Sequence, residues 1–73
     1  MDSFGERLKQ ARIDREMTQY ELAELAGLPR GTVERRESKR NTAHLYTAIV
    51  LARALNVSLD WLCGLESPEV AQI

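Results

Sequence analysis

The sequence predicts an all-α fold: one compact domain built as a bundle of five short helices. Three observations carry that prediction. Apolar residues recur at spacings of three and four along most of the chain, and no stretch shows the strict alternation of a strand. Ser3 and Thr18 are each followed three residues later by glutamate, the pattern that opens a helix, while Gly27, Asn56 and Gly64 stand where helices would close. With 73 residues the chain has room for about one domain or less. So small a domain buries only ~60% of its unfolded surface, and its core is correspondingly thin.

The first helix opens at Ser3-Phe4-Gly5-Glu6 and carries Phe4, Leu8, Ala11 and the stem of Arg15 on one stripe, fading near Arg15-Glu16. The second opens at Thr18-Gln19-Tyr20-Glu21, with Leu22, Ala23, Leu25 and Ala26 as its apolar face. Gly27 stops it in the left-handed conformation that side chains disfavour. Pro29, whose fixed φ suits a helix entry, places the start of the third helix at Pro29 or Arg30 and its end near Ser38. So tight a connection makes the two helices cross steeply. Only Val33 is plainly apolar in the third helix. At about 100° per residue, Val33 and Glu37 share one side with Arg36 flanking, and Gly31, Glu34, Arg35 and Ser38 share the other with Thr32 at its edge. Such a helix is held by one anchor and offers its remaining surface to something polar. Asn41 or Thr42 can cap a fourth helix marked by Leu45, Ala48, Ile49, Ala52 and Leu55, which Asn56 can end. Ser58 caps a short fifth helix from Leu59 to Cys63, closed by Gly64. The domain is expected to span residues 1–64, with a flexible tail over 65–73.

Composition narrows the function. A lone Cys63 makes no internal disulfide and, with His44 as the single histidine, no zinc cage, so a reducing compartment is expected. The longest apolar run, Ala48 to Ala52, is far short of the ~20 residues that span a bilayer. The N-terminus shows no secretory pattern. A cytoplasmic protein with no membrane contact, no cofactor, no metal and no evident small-molecule ligand is expected. Ser and Cys have no histidine in a context that would make a nucleophile and base, so an enzyme is not expected. The net charge is −1, but it is unevenly placed. Between Arg30 and Arg40 five cations face two carboxylates, a local +3; elsewhere five cations face nine carboxylates, −4. Taken by itself this pattern reads first as solvated helix charge; the alternative is a patch for a polyanion, which responds to local charge more than to the sum.

Met17-Thr18-Gln19-Tyr20-Glu21-Leu22-Ala23 with Gly27-Leu28, then Thr32-Val33-Glu34-Arg35 with Glu37, then Leu51 through Leu62 ending in Asn56-Val57-Ser58-Leu59-Asp60-Trp61-Leu62, resembles the phage Cro and repressor-type helix-turn-helix family. The resemblance covers Phe4 to about Gly64. It implies a lambda-repressor-like domain that binds double-stranded DNA as a homodimer on a roughly palindromic operator, with the third helix in the major groove. By position, it implies base reading by Arg30, Gly31, Glu34 and Arg35. It implies phosphate contacts from Thr18, Gln19, Thr32 and the connector Lys39, Arg40, Asn41 and Thr42, with Gln19 also bracing the first reading side chain. It further implies a buried ion pair between Arg12 and Glu37 and a dimer patch at Trp61, Leu62, Cys63 and Leu65.

Residue chemistry agrees with these assignments. An arginine fork matches the O6 and N7 of guanine, Glu34 can accept from cytosine N4, and an absent side chain at Gly31 lets the backbone approach closely. Arg36 stands where the family has an apolar residue; it is expected to lay its stem on the core and reach a phosphate. Lys39 replaces a common glycine and Ala43 a common proline, so the path from Ser38 to Leu45 departs from the family. The expected function is a DNA-binding transcriptional regulator, a repressor in the first instance. A restriction-modification controller, an antitoxin-type regulator, or a protein-interaction module using the same helix are the alternatives.

Overall fold

A computed structural model of the chain describes residues 3–38 and 44–65. They form α1 (Phe4–Asp14), α2 (Gln19–Ala26), α3 (Thr32–Ser38), α4 (Leu45–Leu55) and α5 (Leu59–Leu62), with no strand among the described residues. No helix among them is long and apolar enough to cross a membrane.

Local chemistry sets the helix ends. The Ser3 hydroxyl accepts from the Glu6 amide at 3.2 Å, and the Glu6 carboxylate accepts from the Ser3 amide at 2.8 Å. Thr18 and Glu21 repeat the box at 3.0 and 2.8 Å. Each cap contributes ~0.5–2 kcal/mol. Ser58 accepts from the Trp61 amide at 3.0 Å to start α5. α2 and α4 close on left-handed residues, Gly27 (φ 71°) and Asn56 (φ 57°). In each case the following amide returns five residues back along the chain: Leu28 donates to the Ala23 carbonyl at 2.9 Å and Val57 to Ala52 at 3.0 Å. α1 closes the same way one residue beyond Arg15, at Glu16 (φ 57°). A side chain in that conformation costs ~1–2 kcal/mol.

The core joins Phe4, Leu8 and Ala11 of α1 to Leu22 and Ala23 of α2, Val33 of α3, Ala48, Leu51, Ala52 and Leu55 of α4, and Leu62 of α5. α3 packs on α1 and α2, α4 on α2 and α5, and α1 reaches α4 and α5. Burying each large apolar side chain stabilises the fold by ~1.5–3 kcal/mol.

Three expected core residues lie outside. Leu25 and Leu45 are 60% and 68% exposed, and Arg15 is exposed, its guanidinium turned onto the Ala11 carbonyl. Leu45 is the first residue of α4, ahead of the stretch in which Ala48, Leu51, Ala52 and Leu55 meet the core. The fourth helix is capped at His44, which makes no side-chain capping bond. Asn41 and Thr42, the expected caps, lie outside the described residues. Arg7 ties α1 to α5. Its Nη1 donates to the Trp61 carbonyl at 3.0 Å, and its guanidinium carbon lies 5.2 Å from the Trp61 ring centre.

Candidate nucleic-acid interface

α3 begins at Thr32, later than the expected Pro29 or Arg30. The cause is a tight turn: the Thr32 amide donates to the Pro29 carbonyl at 3.0 Å, and the first helical bond runs from the Arg35 amide to the Gly31 carbonyl at 3.1 Å. Arg30 and Gly31 therefore belong to the turn, not to the helix. This short helix is fixed from its inner side by two different devices. Val33 is fully buried. One turn on, the Glu37 carboxylate accepts from Arg12 Nε at 2.6 Å and from Arg12 Nη2 at 3.1 Å, a fork-on-fork pair. Gln19 Nε2 adds a third donor at 3.0 Å, and Arg12 Nη1 donates to the Met17 carbonyl at 2.8 Å. With side-chain exposures of 12% for Arg12 and 5% for Glu37, the pair is largely cut off from water. It joins the end of α1, the start of α2 and the end of α3 through one carboxylate.

The outer side of this unit is polar and open. Arg30, Gly31, Glu34, Arg35 and Ser38 are all exposed, beside the exposed Thr18 and Tyr20 of the α2 entry. Arg35 Nη2 lies 3.4 Å from the Thr32 hydroxyl, a weak tether one turn back along its own helix. A Cβ added to Gly31 would meet nothing within 4 Å, so the chain's own packing does not demand glycine there. Arg30 folds back over Tyr20, its guanidinium carbon 3.9 Å from the ring centre, above a notch lined by Tyr20, Ala23, Glu24, Leu28 and Arg30. Arg30 and Arg35 offer guanidinium donors on this side, with Glu34 the carboxylate between them in sequence and Glu21 and Glu24 exposed on α2.

Several expected contacts are placed differently. Thr32, expected at a phosphate, is 5% exposed and faces inward, because its helical angle puts it beside Arg36 rather than Glu34. Arg36 is half-buried, and its Nε is enclosed without a hydrogen-bond partner, so part of that guanidinium lies inside the fold. Gln19, expected at a phosphate and against the first reading side chain, donates one amide hydrogen to Glu37, and the side chain that lies against Arg30 is Tyr20. Lys39, Arg40, Asn41 and Thr42 lie outside the described residues.

In the sequence Tyr20 is marked only as an aromatic residue inside a polar capping box; its meeting with Arg30 across ten positions is tertiary. At the C-terminal end, Leu62 is fully buried in the chain's own core and so is not part of an outer patch. Trp61 and Cys63 are half-buried, and Leu65 is 59% exposed. Burial pushes the Cys63 thiol above its ordinary range, and the negative charge of Asp60 adds to the shift.

Residues 8–62 match the model of a protein family described as helix-turn-helix. The fold is similar to the crystal structure of the restriction-modification controller protein C.AhdI from Aeromonas hydrophila, with a TM-score of 0.75 and 34% identity over 81% of this chain and 89% of that one. It is also similar to the crystal structure of a hypothetical transcription factor, NHTF, from Neisseria, with a TM-score of 0.77 and 29% identity over 94% of this chain and 77% of that one. No curated protein sequence matches the chain.

Proposed function

The chain belongs to the Cro and repressor-type helix-turn-helix family, and we propose on that premise that it binds a palindromic operator as a homodimer, with α3 and its leading turn in the major groove. It is a DNA-binding transcriptional regulator. One observation carries the reading of the groove contact. α3 commits Val33 and Glu37 to the protein, while Arg30, Glu34 and Arg35 stand exposed around a glycine that the chain's own packing does not require. A duplex brought against that face explains both facts: guanidiniums meet base edges, and the bare Gly31 lets the backbone come close. Thr18, Lys39, Arg40, Asn41 and Thr42 then supply phosphate contacts, which fix position without reading sequence. The exposed Leu65 with the half-exposed Trp61 and Cys63 serves the dimer contact, and symmetric half-sites sit about one helical turn, ~34 Å, apart.

Selection of duplexes from a random pool, followed by mobility shifts, tests the reading. The intact chain should enrich a two-fold symmetric consensus and lose affinity steeply with salt. Arg35→Ala should weaken the consensus by ~1–3 kcal/mol and relax one position in each half-site. Gly31→Ala should leave the thermal midpoint unchanged or raised and still weaken the complex. Equal binding of consensus and random duplex at moderate salt would refute the proposal. The likeness to a controller protein favours a controller role over an antitoxin-type one.

A further inference from the structure

We infer that Tyr20 is the positioning residue for Arg30: its ring holds the guanidinium in the pose that reads a base. The inference rests on the DNA-reading role proposed above and adds to it a specificity-determining side chain outside α3. Arg30 sits in a turn, so helical packing does not restrain its long side chain. Yet its guanidinium carbon stands 3.9 Å above the Tyr20 ring centre, a stacking distance. Stacking uses a face of the planar cation and leaves the in-plane N–H donors at its edge free to point away from the protein. Those edge donors are the ones that match guanine.

Tyr20 is itself set by α2. It follows Gln19 in the first turn, and its helix entry is locked by the Thr18–Glu21 box. Gln19, its neighbour, is tied to Glu37 near the end of α3. The ring is thus mounted on the same rigid unit that holds the reading helix, and it lends order to a turn residue that has none of its own. Half of Tyr20 is exposed, so the ring is not a core member. Ordering a long side chain at the moment of binding costs affinity, and ordering it beforehand removes that cost. The cost falls mainly on complexes in which Arg30 is fixed on a base, so the ring raises discrimination more than it raises general affinity.

The test compares the intact chain with Tyr20→Leu, Tyr20→Phe and Tyr20→Trp on the duplex consensus that the intact chain selects and on random duplex. Tyr20→Leu should cut the ratio of specific to nonspecific affinity by roughly 2- to 10-fold, the effect of freeing one long side chain. The loss should fall at the half-site position that Arg30→Ala also relaxes, with an unchanged salt slope because no charge is removed. Tyr20→Phe and Tyr20→Trp, which keep an aromatic face, should restore the ratio. In an Arg30→Ala background, Tyr20→Leu should have no further effect. Equal or greater discrimination in Tyr20→Leu would overturn the inference, and so would a Tyr20→Phe loss as large as that of Tyr20→Leu, since the hydroxyl rather than the ring would then be acting. If the intact chain selects no consensus, the DNA-reading proposal itself falls, which separates that failure from this one.

Discussion

Replacing Glu37 by leucine removes the acceptor on which Arg12 Nε, Arg12 Nη2 and Gln19 Nε2 converge. Arg12 is left with the Met17 carbonyl as its remaining partner and with a side chain only 12% exposed. Taking one member from a buried pair costs ~3–5 kcal/mol, mostly because the other charge is stranded. The surviving bond to Met17 and the residual exposure of Arg12 put this case at the lower end, ~3 kcal/mol. A domain of this size has a total stability of roughly 4–11 kcal/mol, so the loss is a large fraction of it. It corresponds to a fall in Tm of ~12–24 °C. Thermal melts followed by circular dichroism measure it directly. The double replacement Arg12→Met with Glu37→Leu removes both charges and should recover part of the loss, because apolar side chains of similar size can fill the site without stranding a charge. A Glu37→Leu single variant melting within ~3 °C of the parent, well inside the ~12 °C minimum expected, would refute the view that this pair clamps α3. A double variant no more stable than the worse single would refute the stranded-charge account.

Glu16→Gly should stabilise the fold by ~0.5–1 kcal/mol, since φ 57° suits glycine and the Glu16 side chain opposes it; a rise in Tm of ~2–8 °C is expected, and a fall would show that the side chain helps rather than strains the turn. Leu62→Ala should cost ~2–5 kcal/mol because Leu62 is fully buried, whereas Leu65→Ser should leave the monomer's melting unchanged and shift sedimentation toward monomer; the reverse pattern would misplace the C-terminal edge of the core. The raised Cys63 thiol should alkylate more slowly at neutral pH than the same thiol in the unfolded chain, and Asp60→Asn should lower the midpoint of its pH profile. Its contribution to stability is present below the ordinary thiol range and is lost as pH rises through the folded value, because the unfolded chain gives up that proton first. A midpoint at or below that of the unfolded thiol would contradict the burial seen here.

Local rules were legible in the chain itself. Ser3 with Glu6 and Thr18 with Glu21 open helices through hydrogen bonds that span three residues, and Gly27 and Asn56 close them through their own φ. Each of these depends on near neighbours, so reading them needs no partner. The resemblance placed Arg12 beside Glu37, but the third donor from Gln19 and the bond from Arg12 to Met17 depend on how three elements converge. Packing also decided which apolar residues were inside: Leu62 went to the core and Leu25 and Leu45 to the surface, because the place of a residue relative to the neighbouring helices, not hydropathy, determines burial. The turn at Pro29 moved Arg30 off the helix and over Tyr20. Spacing along a chain carries the periodicity of one helix; the angle at which two helices meet, and the side chains that face each other there, exist only once the helices have packed.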